Sequence, residues 1–188
     1  VRAAAGGSGS SRVGAFGTTE RQRPVRLQDV DARADERVSL CNGEVDRLLG
    51  GGIVPGSLVL IGGEPGIGKS TLSLQIPLHC PSLRTLYVTG EESARQVKMR
   101  ANRLGGEPQH CSIYAETLLE NILEEAKQMS PDLMIVDSVQ TMYTEAMDSA
   151  AGSVSQIKEV AARLLRYAKE SGVPVILIGH ITKDGFIA

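Results

Sequence analysis

The chain has 188 residues, 41% of them hydrophobic, enough for one α/β core with a tail rather than several domains. Its formal net charge of −2 excludes nucleic-acid binding by bulk charge, so any such contact falls to local basic loops. No apolar run approaches membrane-spanning length and no basic-then-apolar leader opens the chain, which predicts a cytoplasmic protein without membrane contact.

Residues 1–26 read as a flexible linker: Ala3 to Ser11 is small and polar, and five arginines face the single Glu20. A solvated tether is the favoured reading over a basic tail brushing nucleic acid. From Leu27 to Ala188 the chain alternates helix and strand signals. Glu44–Leu49 predicts a short helix stopped by Gly50, Gly51 and Gly52, with Pro55-Gly56 turning into a strand over Ser57–Ile61.

That strand runs into Gly63, Glu64, Pro65, Gly66, Ile67, Gly68, Lys69 and Ser70, a complete G-x-x-x-x-G-K-[ST] motif, followed by Thr71 at a helix start. Strand, glycine-rich turn and helix start aim backbone N–H groups and a helix dipole at one point, which suits a phosphate. Lys69 then reaches the β- and γ-phosphates, and the Ser70 hydroxyl ligates Mg²⁺. A nucleoside triphosphate, ATP with Mg²⁺, is the expected ligand. Pro77, close behind, predicts a helix that kinks or ends early.

Arg84–Thr89 predicts a second strand, and Ser93–Leu104 a helix with Ala94, Val97, Ala101 and Leu104 on one face. Between them, Glu91 and Glu92 offer a carboxylate to polarise a water for attack on the γ-phosphate; Glu91 is assigned that role and Glu92 the helix start. Cys111–Ala115 predicts a third strand. Thr117 and Glu120 match a capping box ahead of Leu119, Ile122, Leu123 and Ala126.

Leu133–Asp137 has the pattern of a strand buried on both faces. Asp137 at its end is the expected partner of Ser70 in holding Mg²⁺ through water, in preference to a helix-capping role. Thr141–Gly152 is a weakly patterned loop on the same edge. Ser153 and Gln156 open a helix with Val154, Ile157, Val160, Leu164 and Ala168 inward. Val175–Gly179 is a fifth strand ending at His180, which reads either as a γ-phosphate contact or as a satisfied strand-end histidine. Lys183 beyond it reads either as a contact to nucleic-acid phosphate or as a solvated loop lysine. The fold class is therefore α/β, a mostly parallel twisted sheet with helices on both faces.

Cys41, Cys80 and Cys111 are odd in number and lack a C-x-x-C pair, so reduced thiols and no metal site are expected.

Leu48–Ser57, Ile61–Thr71, Leu86–Ser93, Gly152–Gln156 and Gly179–Gly185, in this order, resemble the bacterial DNA repair protein RadA (Sms) family, which is RecA-like. The resemblance covers about Leu27 to Ala188. It implies a RecA-like ATPase that binds single-stranded or branched DNA, forms hexameric rings and drives branch migration with a RecA-type recombinase. It implies that Glu91 is the catalytic glutamate, His180 the γ-phosphate sensor, and the loops around Thr144–Ser155 and from Lys183 the DNA-binding loops. The family's four-cysteine zinc ribbon has no counterpart here, so zinc is expected only in full-length relatives. Its Lys-Asn-Arg-Phe-Gly motif and Lon-like domain are also missing, which implies ATP binding with slow hydrolysis and weak DNA binding. Competing readings are a replicative-type hexameric helicase core and a nucleotide-gated regulatory ATPase of the circadian-clock kind.

Overall fold

The computed structural model describes residues 24, 26–29, 37–106 and 109–180. The chain divides into two units, Val1–Arg33 and Ala34–Ala188. In the first, Leu27–Asp29 forms a 3-10 turn closed by Asp29 N–H on Arg26 C=O at 2.9 Å. Lys183 lies outside the described residues.

In the second unit the elements run α1 (Gly43–Leu48), β1 (Leu58–Gly63), α2 (Lys69–His79), β2 (Thr85–Thr89), α3 (Ala94–Leu104), β3 (Cys111–Ala115), α4 (Leu119–Met129), β4 (Leu133–Asp137), α5 (Val154–Ser171) and β5 (Val175–His180). The five strands form one parallel sheet in the order β1-β5-β4-β2-β3. Strands β4 and β5 are thus inserted between β1 and β2, and this reversal of winding opens a crevice at the carboxyl ends.

Strand side chains alternate between two cores. Leu86, Val88, Met134, Val136, Val175 and Leu177 pack against α4 and α5, through Ile122, Ala126, Ile157, Val160 and Leu164. Tyr87, Leu133, Ile135, Ile176 and Ile178 face α2 and α3, through Leu74, Ile76, Val97 and Ala101. Covering both faces explains why β2 and β4 are buried at every position. Each large apolar side chain so buried contributes about 1.5–3 kcal/mol.

Helix starts follow local chemistry. Asn42 accepts from Glu44 N–H and Val45 N–H at the head of α1, and Ser93 with Gln96 makes a reciprocal capping box on α3. Ser153 caps α5 by accepting from Gln156 N–H.

Several expectations are corrected. The Thr117–Glu120 capping box does not form: α4 begins after Leu118, and Glu116 accepts from the Thr117 and Leu118 N–H groups instead. The Leu118 N–H first, then the Asn121 side chain, which donates to Glu116 Oε2, and then the Thr117 N–H hold the Glu116 carboxyl below its ordinary range. Glu120 turns to Arg163 and Thr144. The expectation at Pro77 is not among them: α2 ends early, two residues beyond the proline at His79, a proline in the last turn forfeiting only one bond. Val154 and Ala94 are exposed, since both sit in the first turn of their helices, beyond the reach of the sheet.

The expected reduced thiols are also corrected. Cys41 and Cys80 form a disulfide across 39 residues, with 5.3 Å between Cα atoms. Cys41 lies just before α1 and Cys80 caps α2, so folding joins two positions that sequence spacing keeps apart. Cys111 is free, and burial pushes its thiol up to about 11. No helix among the described residues is long and apolar enough to cross a membrane.

Candidate nucleotide site

The sheet register assembles the site. Gly63, the last residue of β1, pairs with His180, the last of β5. Thr89, the last of β2, pairs with Asp137, the last of β4. All four carboxyl-terminal tips therefore lie on one edge, and the loops leaving them carry the chemistry-bearing residues.

Glu64 to Gly68 is an exposed loop that ends at Gly68, the N-cap of α2. Gly68 has φ +96°, the left-handed region that an L side chain rarely adopts, and this lets the chain turn from loop into helix. Lys69 is buried and donates from Nζ to Gly63 C=O and Glu64 C=O, each at 2.8 Å. Its ammonium is thus held over the loop itself. Ser70 and Thr71 occupy the first turn of α2, where free N–H groups and the dipole favour an anion.

Opposite, Glu91 and Glu92 are separated in role. Glu91 accepts from Ser138 Oγ at 2.7 Å, and its Oε1 lies 3.4 Å from His180 Nε2. Glu92 lies just before the Ser93 cap and pairs with Arg100 at 3.3 Å, so it stands before α3 rather than inside its first turn. Gln140 donates to His180 C=O at 3.0 Å and fixes the end of β5. His180 Nδ1 and Gln140 Oε1 are buried without a partner among the described residues.

Asp137 is 7% exposed and shares the α2 side of the sheet with Ile135. Among the described residues no group of three or more His, Cys, Asp or Glu gathers to hold a metal. One carboxylate with one hydroxyl, Asp137 with Ser70, instead fits Mg²⁺, which keeps several waters and takes phosphate oxygens for the rest.

Lys69, Asp137, Glu91 and His180 are thus carried by elements that converge on one edge. Sequence reasoning misses Ser138 as a partner of Glu91, and Gln140, Tyr87 and Arg100 altogether. The forward signal, for Ser138 and Gln140 alone, is that polar residues interrupted by Val139 follow an apolar strand. The loop from Thr144 is more tightly fastened than its weak pattern implies. Gln156, 1% exposed, accepts from Thr144 N–H at 3.0 Å and donates to Thr144, Met147 and Ser149 carbonyls at 3.2, 3.2 and 2.9 Å.

A parallel sheet whose first strand feeds a glycine loop and helix, with an acidic tip two strands away, defines a RecA-like P-loop NTPase. A solved KaiC-like protein from Pyrococcus horikoshii shares this fold, with TM-score 0.63 and 24% identity over 77% of this chain and 70% of its own. The chain belongs to the AAA domain family, which matches residues 21–185. It is similar to the DNA repair protein RadA of Pseudomonas aeruginosa, 47% identical over 96% of this chain and 40% of the relative. The RadA proteins of Streptococcus pneumoniae and Streptococcus pyogenes serotype M1 are 45% and 46% identical over 91% and 90% of this chain. The chain spans 41% and 38% of those two relatives.

Proposed function

We propose that this chain is the nucleotide-hydrolysing core of a DNA-dependent ATPase in recombinational repair, one that processes branched intermediates by ATP-driven movement on single-stranded DNA. Residues 1–26 would tether a core running from 27 to 188, working in the cytoplasm as part of a hexameric ring with a RecA-type recombinase as partner. The observation that carries the reading is the placement of Glu91: its carboxylate is held by Ser138 and faces His180, which pairs in register with Gly63 of the phosphate loop.

In this reading Gly63 to Thr71 wraps the phosphates, and Lys69 leaves its two loop carbonyls to pair with phosphate oxygens. Ser70 and Asp137 would hold Mg²⁺, which would supply neutralisation of the charge that develops on the phosphates. Glu91 orients a water and accepts its proton as the water oxygen bonds to the γ-phosphorus and the bond from that phosphorus to the β–γ bridging oxygen breaks, releasing ADP and phosphate. His180, beside Glu91, binds the γ-phosphate and transmits its presence to the segment carrying Lys183, the proposed DNA contact. The fastened loop from Thr144 would offer the second DNA contact.

The test compares ATPase rate and nucleotide affinity with and without single-stranded DNA. Glu91→Gln is expected to keep nucleotide affinity while hydrolysis falls on the order of 10²–10⁴-fold. Lys69→Ala is expected to lose affinity itself. The wild-type rate is expected to rise with DNA, and affinity for DNA to weaken with salt. Equal hydrolysis by Glu91→Gln would remove Glu91 from the mechanism, and a rate indifferent to DNA would remove the motor.

A further inference from the structure

Tyr87 is a wholly buried titratable group in the middle of β2, and the nucleotide chemistry above does not use it. Its hydroxyl donates to Asp137 Oδ2 at 2.6 Å. The Tyr87 hydroxyl oxygen in turn accepts from Arg100 Nη2 of α3 at 3.3 Å, and that guanidinium nitrogen also lies 3.3 Å from Glu92 Oε2. An ion pair and two hydrogen bonds therefore link four side chains, from Glu92 just before α3, through Arg100 and Tyr87, to Asp137 at the tip of β4.

We propose that Tyr87 is a positioning residue for the metal-holding carboxylate, itself set by Arg100 and Glu92. The inference rests on the reading that Asp137 holds Mg²⁺. A carboxylate has two oxygens, and an undirected one rotates between competing partners. Here Oδ2 is committed to the phenol, while Oδ1 takes no side-chain partner among the described residues. The orientation left for a metal-bound water is then single.

The chemistry of the phenol supports this. The phenol O–H donates to Asp137 Oδ2 from a site closed to solvent, so no water competes for that oxygen. Arg100 donates to the phenol oxygen and polarises it, which strengthens the bond onward to Asp137. Glu92 holds Arg100 in place from the loop that also carries Glu91. Partners of this kind fix the direction of metal ligands, and removing one typically costs 10–100-fold in metal affinity. A buried tyrosine that merely satisfied its own hydroxyl would affect stability and leave metal affinity unchanged.

The experiment titrates Mg²⁺ against binding of a fluorescent ADP and reads the concentration that gives half of the metal-dependent gain in affinity. It uses the whole chain and the variants Tyr87→Phe, Arg100→Met and Asp137→Asn. Tyr87→Phe is expected to raise that concentration roughly 10-fold or more, with affinity in EDTA unchanged. Arg100→Met is expected to raise it by a smaller factor, about 2- to 5-fold, since it acts through the phenol. If Asp137→Asn shifts the titration and neither other variant does, the positioning role is overturned while the metal role of Asp137 stands. If Asp137→Asn shifts nothing, the metal role is wrong and the positioning role falls with it. Should Tyr87→Phe fail to fold, Arg100→Met decides, and an unmoved midpoint there overturns the proposal.

Discussion

Gly90 is where the chain leaves β2 for the carboxylate loop, and it passes hard against the 3-10 turn at Val139–Thr141. A Cβ added at Gly90 would meet Thr141 Oγ1 at 2.0 Å and Thr141 Cβ at 2.6 Å. The threonine cannot swing aside freely, because its hydroxyl donates to Ser138 C=O at 2.8 Å. Gly90→Ala is therefore expected to lower unfolding free energy by about 1–3 kcal/mol, the usual cost of forcing atoms into a packed site. A denaturant titration measures it, and an unchanged midpoint would show that the turn yields. Residues whose role is local are legible in the sequence. Lys69 and Ser70 belong to a contiguous motif, and Asp137 ends an apolar run. Tyr87, Arg100, Ser138 and Gln140 are not legible, because each matters only for what it touches, such as an aspartate 50 positions away.

At the scale of elements, the strands are legible nearly to their ends, most plainly β4 and β5, where burial on both faces writes continuous apolar runs into the sequence. Helix starts are legible where one side chain serves one N–H, as at Ser93 and Ser153, and misleading at Thr117, where a neighbouring glutamate offers two bonds instead. The stretch from Thr144 shows what periodicity cannot report. Its order comes from Gln156 on α5, whose amide makes four bonds to loop backbone. Gln156→Leu keeps the volume and the helix while leaving the Thr144 N–H buried and unpaired, at roughly 1–3 kcal/mol. The expected signature is local: amide exchange and proteolysis rise in residues 144–152, while the β4 and β5 amides stay protected. Uniform protection of that loop would assign its order to another anchor.

At the scale of the whole molecule, the Cys41–Cys80 bond ties the segment before α1 to the end of the phosphate-loop helix. The crosslink spans 39 positions, so it removes many conformations from the unfolded chain. On the chain-entropy account a loop of that size is worth about 3–4 kcal/mol. Cys41 is exposed, so a reductant reaches the bond from solvent, whereas Cys80 is buried and its thiol would remain in the core. Reduction is expected to lower Tm without loss of the sheet, since both hydrophobic cores close without the bond. Cys41→Ala is expected to show the lowered Tm at once and to ignore reductant. Counting thiols in denaturant checks the premise directly: one per chain, Cys111, in the oxidised protein and three after reduction. Three thiols before reduction would mean the sulfurs are adjacent but unbonded, and the predicted sensitivity to reductant would vanish with the bond.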